Sequence, residues 1–150
     1  MENEMNNCGW CNLSEEEKRL QVYESAFWSV FLADEQDYIG RCILVLKRHC
    51  GSLAELSDEE SKDLHDLVCK VETCLKRVLG ASLCNWSCLM NSFYKEAEPD
   101  PHLHIHVRPG MTGLWSYTGT LILTVNSAII MRCIKTDQSL LRTGKKCLSG

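Results

Sequence analysis

The stretch that decides the fold is Pro101-His102-Leu103-His104-Ile105-His106-Val107-Arg108-Pro109, in which three histidines alternate with branched apolar residues. Side chains of a β-strand point to opposite faces with a period of two. As a strand, the segment therefore places its three histidines on one face and its apolar residues on the other, toward a core. Three imidazoles along one face could bind a metal, grip an anion such as phosphate, or supply a nucleophile with its acid–base partners.

Length and charge narrow the class of protein. The chain has 150 residues, which suits one domain with a sizeable core, and a formal net charge of −4. A nonspecific nucleic-acid binder would need a basic field, so we expect no nucleic-acid partner. Residues 1–4 do not resemble a signal peptide, and the longest apolar run, 121–131, is too short for a membrane span. These features predict a cytoplasmic protein without a membrane segment, whose ten cysteines are mostly reduced.

Two cysteines stand apart from the others, in Cys8-Gly9-Trp10-Cys11. The spacing is typical of a metal knuckle or of a redox pair. A redox pair usually opens a helix after a strand, and nothing strand-like precedes Cys8, so a metal site is favoured. Structural zinc needs four ligands, which makes this pair a half-site.

The following segments predict a short polar helix over 13–20 with Ser14 as its N-cap, and strands over 22–25, 27–32 and 39–46. The last of these is nearly continuous in apolar residues, as expected for a buried strand. It ends in Lys47-Arg48-His49. His49 is a candidate ligand for the cysteine half-site.

A long amphipathic helix comes next. Ser57-Asp58-Glu59-Glu60 is a capping box, apolar residues recur at helical spacing up to Leu79, and Gly80 provides the stop. A strand is then predicted over 86–90, ending in Asn91, followed by a polar loop over 92–101. A loop that delivers Asn91 near three histidines is a natural place for a substrate contact, although turn chemistry explains an asparagine there equally well.

This order of elements, with His-x-His-x-His after a strand ending in asparagine, resembles the histidine triad (HIT) family from about Cys8 to Pro109. The resemblance implies an α+β fold, with a roughly five-stranded antiparallel sheet and one long helix, usually in a homodimer. It also implies a nucleotide hydrolase or transferase that acts at the phosphate attached to the nucleoside.

The family chemistry implies a role for each matching residue. His104, the middle histidine, would attack the α-phosphorus and form a nucleotidyl-histidine intermediate that water hydrolyses. His106 would stabilise the phosphate oxygens in the transition state. Asn91 matches a position that orients the phosphate, and Phe31 matches one that lines the nucleoside pocket.

Some similar proteins, and the related galactose-1-phosphate uridylyltransferases, also bind zinc. The resemblance implies that Cys8, Cys11, His49 and His102 form a closed Cys₂His₂ site here. Such a zinc ion would be structural, and it would orient the catalytic strand because His102 belongs to both sites.

The chain departs from the family pattern at two places before the end of the triad. Gly40 is followed by Arg41, where many members have a fourth histidine; a guanidinium can grip phosphate but is a poor proton donor. Residues 98–101 replace a glutamine-and-serine stretch, which is expected to add negative charge near the phosphate. The preference of the family for a particular leaving group therefore cannot be carried over to this chain.

The resemblance stops after Pro109, so we predict a HIT domain with an N-terminal zinc knuckle over 1–109 and an atypical, poorly packed tail over 110–150. Read from the third base of the Pro109 codon, with free choice of synonymous codons, the tail can encode RYDRPVVIYGNTYTDSEFGHHYALYK. That peptide resembles tails of proteins similar to this one. The hypothesis is a frameshift near codon 109, which resequencing the gene tests.

Two rival functions stay open on the sequence alone. One is a binding protein that holds a nucleotide or a partner without turnover, which the change at Arg41 and the altered tail would allow. The other is a metalloenzyme whose three histidines, 102, 104 and 106, hold one catalytic metal. In that case the middle histidine would be a ligand, and the cysteine pair would lack its remaining partners.

Overall fold

The computed structural model describes residues 8–110 and Cys133. In the described part the chain forms two α-helices and five strands: α1 (Glu15–Arg19), β1 (Gln21–Glu24), β2 (Trp28–Leu32), β3 (Cys42–Leu46), α2 (Asp58–Leu79), β4 (Leu83–Ser87) and β5 (His104–Gly110). Short 3-10 turns occupy Leu53–Glu55 and Asn91–Lys95. The predicted α+β class, with five antiparallel strands and one long helix, is confirmed.

The strands form one sheet in the order β1-β2-β3-β5-β4, with every neighbouring pair antiparallel. The histidine strand β5 is therefore an inner strand. Its register with β3 pairs His104 with Val45 and His106 with Ile43. Because directly paired residues point to the same face, the two histidines share a face with Ile43 and Val45.

The opposite face of the sheet is the core face. Leu44, Ile105 and Val107 are buried there in one cluster with Leu67 and Val71 of α2. Each apolar side chain buried in this way contributes about 1.5–3 kcal/mol to folding. Since α2 covers that face, the histidine face is left for a site.

The start of α2 also fixes the chain that follows β3. Ser57 and Glu60 form the predicted capping box. Glu60 accepts two hydrogen bonds from the Arg48 guanidinium, at 2.5 and 2.8 Å, and the hydrogen bond from Arg48 lowers the pKa of Glu60 to about 2. The Trp28 indole donates to the Glu60 carbonyl at 3.0 Å. These bonds hold the segment next to His49 in one position.

The sequence placed some boundaries correctly and others wrongly. The helix predicted to end at Gly80 does so, with Gly80 at φ 68°. β3 begins at Cys42 rather than at 39, because a turn with Gly40 at φ 81° precedes it. The strand predicted over 86–90 is wrong: β4 is Leu83–Ser87, since its pairing with β5 runs from His106 to Gly110.

The predicted tail lies largely outside the described residues. Gly110 ends β5, paired with Leu83, and Cys133 packs against the core. The division at residue 109 and the frameshift stay predictions. Among the helical residues described, none form a helix long and apolar enough to cross a membrane.

Candidate metal centre and phosphate site

Four side chains meet beside the start of β5, and they are the four that the resemblance implied. The ligand atoms of Cys8, Cys11, His49 and His102 all lie within 4.8 Å of one another. Cys8 Sγ is 3.2 Å from His102 Nδ1, and Cys11 Sγ is 3.5 Å from Nδ1 of each histidine. We call these four residues the Cys₂His₂ cluster.

Local structure explains how such distant residues meet. The chain turns at the cysteine pair, where the amides of Cys11 and Asn12 donate to the Cys8 carbonyl at 3.1 and 3.2 Å. On the other side, the Leu46 amide donates to the Leu103 carbonyl at 3.2 Å and so extends the pairing of β3 and β5 past the strand ends, while the Leu103 amide donates to the Cys50 carbonyl at 2.7 Å and holds the segment after β3. His49 and His102 are therefore held side by side, with ring centroids 5.2 Å apart.

The spacing fits a tetrahedral zinc ion. Zinc–sulfur and zinc–nitrogen bonds of about 2.3 and 2.0–2.1 Å imply sulfur–nitrogen separations of roughly 3.5 Å. The outer ring nitrogens are also held: His102 Nε2 lies 2.7 Å from the Leu46 carbonyl, and His49 Nε2 lies 2.8 Å from Asp100 Oδ1. Both Nε2 atoms therefore carry the proton, which leaves both Nδ1 lone pairs for a metal.

Burial shapes the acid–base behaviour of the cluster. Burial, with the neighbouring Cys8 thiol, raises the pKa of Cys11 to about 11. Burial lowers the pKa of His102, which keeps its imidazole neutral. A neutral imidazole can bind a metal without losing a proton. A thiol must lose its proton first, and a bound cation stabilises the resulting thiolate. The donor set is therefore suited to zinc.

His104 is buried and oriented by the backbone next to it. Its Nδ1 lies 2.8 Å from the His102 carbonyl, so the Nδ1 proton donates to that oxygen. The other nitrogen, Nε2, is then the one with the free lone pair. This tautomer is the one that a nucleophilic histidine needs.

His106 lies next to His104, with ring centroids 5.1 Å apart in an edge-on arrangement. Its Nδ1 is buried and makes no hydrogen bond to any residue that the structure describes. Burial, with the nearby charges of His104, Arg108 and Arg41, lowers the pKa of His106 to about 4. A neutral, unpartnered imidazole here is available to a bound ligand.

A cavity of about 310 Å³ opens on the histidine face of the sheet. Phe31, as implied by the resemblance, lines it together with Trp10 from the cysteine turn. Trp10 lies between the cavity and the histidines, because its ring centroid is 5.8 Å from the ring centroid of Phe31 and 5.8 Å from that of His104. The volume is at the lower end for small-molecule sites. Its other lining residues are Leu13, Lys18, Gln21, Glu24, Ser29, Val45, Leu46 and Lys47.

The remaining sequence candidates lie as follows. Asn91 begins a 3-10 turn and is exposed, rather than ending a strand. The same turn brings Phe93 against His104, with centroids 5.7 Å apart. Arg41 is mostly buried and binds Asp37 at 2.8 Å. Asp100, which was expected to add negative charge near the phosphate, instead accepts from His49.

Sequence reasoning missed three residues that the structure brings to the site. Trp10 could have been found as the aromatic residue between two metal ligands. Arg108 continues the period-two alternation of the histidines, so the pattern itself places it on their face. Phe93 carried no local signal, because only the 3-10 turn decides where it points.

Solved structures share this fold. The chain resembles a hypothetical histidine triad nucleotide-binding protein from Sulfolobus tokodaii, with TM-score 0.65 and 18% identity over 85% of this chain and 92% of that one. It resembles a zinc-bound histidine triad family protein from Mycobacterium smegmatis, with TM-score 0.61 and 16% identity over 80% and 86%. It also resembles a uridylyltransferase, with TM-score 0.62 and 20% identity over 89% of this chain and 47% of that one.

No family model matches the chain, and no curated protein matches it in sequence. The structural likeness at such low identity defines the fold alone. The fold is that of the histidine triad proteins, as the sequence predicted.

Proposed function

We propose that the protein is a nucleotide hydrolase or transferase that acts at the α-phosphate through a nucleotidyl-histidine intermediate on His104. The observation that carries the proposal is the hydrogen bond from His104 Nδ1 to the His102 carbonyl. In the neutral tautomer that this bond favours, the Nε2 lone pair is free on the sheet face that also bears the cavity, which is what a nucleophile requires. The nucleotide-binding name of one structural neighbour agrees with this class of ligand.

In this proposal the nucleoside occupies the cavity and the α-phosphate lies over His104 and His106. Trp10 and Phe31 supply aromatic surface for the base. His106 stabilises the phosphate oxygens, because its buried Nδ1 has no hydrogen-bond partner among residues 8–110 and Cys133. Asn91, on the 3-10 turn whose Phe93 contacts His104, would orient the phosphate.

The Cys₂His₂ cluster would hold a structural zinc ion. Its four donors leave no open coordination position, so the ion would contribute folding free energy rather than chemistry. The cluster would act on catalysis through His102, whose carbonyl orients His104. The rival in which histidines 102, 104 and 106 share one catalytic metal loses support, because His102 faces the two cysteines.

The partners proposed are a small nucleotide and a second copy of the chain, in the cytoplasm. β4 is an edge strand of the described sheet, and Leu83 on it is exposed, which suits pairing of two sheets. Reduced cysteines in a zinc cluster suit a reducing compartment. Sedimentation of the wild type and of Leu83→Asp tests the dimer, since a charge there should favour the monomer.

A binding protein without turnover is the second candidate. Arg41 favours it, because a guanidinium does not donate a proton to a leaving group that needs one. Such a protein would hold the nucleotide in the same cavity without forming a covalent bond.

An activity screen with adduct detection separates the two candidates. The protein is incubated with an adenosine phosphoramidate and with dinucleoside polyphosphates, then its intact mass is measured without acid treatment. Turnover with a nucleotidyl mass added at His104 supports the enzyme. Saturable binding with neither turnover nor adduct overturns it and supports the binding protein.

A further inference from the structure

Two arginines stand face to face on the sheet, beyond the histidines. The Ala33 amide donates to the Arg41 carbonyl at 3.0 Å, so the ladder between β2 and β3 extends to Arg41. In the ladder between β3 and β5, Cys42 pairs with Val107. One more step places Arg41 opposite Arg108, on the face that carries His106.

Two arginines placed opposite each other destabilise the fold unless an anion binds between them. Like charges directly opposite each other on neighbouring strands are destabilising. Asp37 binds one arm of Arg41 at 2.8 Å, and hydrogen bonding from Arg41, with the further charge of Arg108, lowers the pKa of Asp37. The two guanidiniums carry two positive charges and Asp37 carries one negative charge, so the three side chains together keep a net positive charge.

Two buried polar atoms at the same place lack a partner. Arg41 Nε and His106 Nδ1 make no hydrogen bond within the described part of the chain. Buried polar groups are nearly always satisfied, so two orphans on one sheet face indicate a missing ligand. Among the described residues, His104, Arg108 and Arg41 act electrostatically on His106, and Asp37 pairs with Arg41, so the ligand that suits this place is an anion.

We propose that Arg41 and Arg108 form an anion subsite that binds the leaving phosphate chain, so that the substrates are nucleoside polyphosphates or dinucleoside polyphosphates. The inference rests on the proposed function. Along β5 the order is His104, His106 and Arg108, with about 6.6 Å between alternate residues. The subsite therefore lies beyond His106 from the nucleophile, where a phosphate chain attached to the α-phosphate would extend.

The chemistry of the leaving group agrees with an arginine at this place. His104 Nε2 attacks the α-phosphorus and forms a nitrogen–phosphorus bond, while the bond from phosphorus to the bridging oxygen breaks. The electron pair leaves with the polyphosphate, which departs as an anion and needs no proton from a side chain. Water then attacks the phosphorus, the electron pair returns to Nε2, and the proton of the water passes to solvent. An amine leaving group, by contrast, needs a proton that a guanidinium does not give.

The test compares substrates across matched variants. Arg41→Gln and Arg108→Gln should each lower kcat/KM for a dinucleoside polyphosphate by about 10- to 150-fold, the range expected for one charge-assisted hydrogen bond. The same variants should change kcat/KM for an adenosine phosphoramidate by less than about threefold. Arg41→Lys should recover part of the lost kcat/KM, because lysine keeps the positive charge but lacks the planar N–H donors of the guanidinium. Arg77→Gln, at an exposed position of α2, is the control for loss of an arginine.

Binding of inorganic tripolyphosphate tests the subsite without any turnover. The wild type at low salt should bind it, Arg41→Gln and Arg108→Gln should bind it at least tenfold more weakly, and Asp37→Asn should bind it more tightly. His104→Ala should bind it like the wild type. Melting curves check that each variant is folded.

The outcomes separate this inference from the proposed function. Equal losses on both substrates, or tripolyphosphate binding that is unchanged in Arg41→Gln and Arg108→Gln, overturn the anion subsite and leave the enzyme proposal intact. Tripolyphosphate binding that depends on both arginines, in a protein that turns over neither substrate, supports the subsite and overturns the enzyme proposal.

Discussion

The two ends of the histidine segment differ in how completely their polar atoms are satisfied. At the Cys₂His₂ cluster, the outer nitrogens of His49 and His102 both bond to oxygen, and the inner ones face thiols. Four residues after His102, the buried Nδ1 of His106 has no hydrogen-bond partner in the described part of the chain. In our proposal a zinc ion would bind at the first end and an anionic ligand at the second.

The comparison shows how a rigid region can prepare a reactive one. His102 belongs to both: its ring faces the cysteines, while its carbonyl accepts the proton of His104. Packing at the cluster therefore sets the tautomer of the proposed nucleophile. Changes at the cluster should affect folding first, whereas changes at the phosphate end should affect chemistry or binding more than stability.

The largest expected effect is at the nucleophile. His104→Ala should lower kcat by about 10⁴-fold or more, because the covalent route is lost. Its zinc content and melting temperature should stay close to those of the wild type. Single-turnover kinetics, intact mass and metal analysis measure these, with the exposed His65→Ala as control. A nucleotidyl adduct that persists in His104→Ala contradicts the assignment.

The next effect is at the cluster. Cys8→Ser should lose stoichiometric zinc and several kcal/mol of unfolding free energy, since a buried metal ligand is removed. A chelator should destabilise the wild type in the same way. Cys88→Ser, a half-buried cysteine outside the cluster, is the matched control. Full zinc retention in Cys8→Ser would show that the four donors do not act as one site.

A smaller effect is expected at Trp10, which lies between the two ends. Trp10→Leu should raise KM about 5- to 150-fold with little change in kcat, because stacking on a base is worth about 1–3 kcal/mol. Zinc content should be unchanged. Trp86→Leu removes a tryptophan from the core side of the sheet and serves as control. A change in kcat alone would place Trp10 at the chemistry instead of in the nucleoside pocket.

The smallest effect is the pH dependence of stability at His106. Its pKa of about 4 in the folded state is below the ordinary value of about 6.5. Between these values the unfolded state binds more protons, so stability falls as pH is lowered from about 6.5 toward 4. Denaturant unfolding should show that the wild type loses on the order of 1 kcal/mol more than His106→Asn over that window, after allowance for solvent screening. If the unfolding free energies of the wild type and His106→Asn fall in parallel as the pH is lowered, the pKa of His106 is not lowered by burial. His65→Asn is the control.

Local signals predicted the elements that depend on local contacts. The capping box at Ser57 and the stop at Gly80 are satisfied by neighbouring backbone, so both ends of α2 were placed correctly. The bounds of β4 were wrong because a strand end is decided by its partner, and the partner, β5, continues to Gly110. The residues of the metal cluster were named by family resemblance, since spacing alone does not say which histidine reaches a cysteine.

What the sequence by itself determined is the common face of His104, His106 and Arg108, because the period of two is a property of any extended chain. Only the tertiary structure decided what each of them does. The bond from His102 to the Leu46 carbonyl spans 56 positions, and the contact of Cys8 with His102 spans 94. Such partners are set by strand pairing and packing, which give each imidazole its tautomer, its burial and its charge.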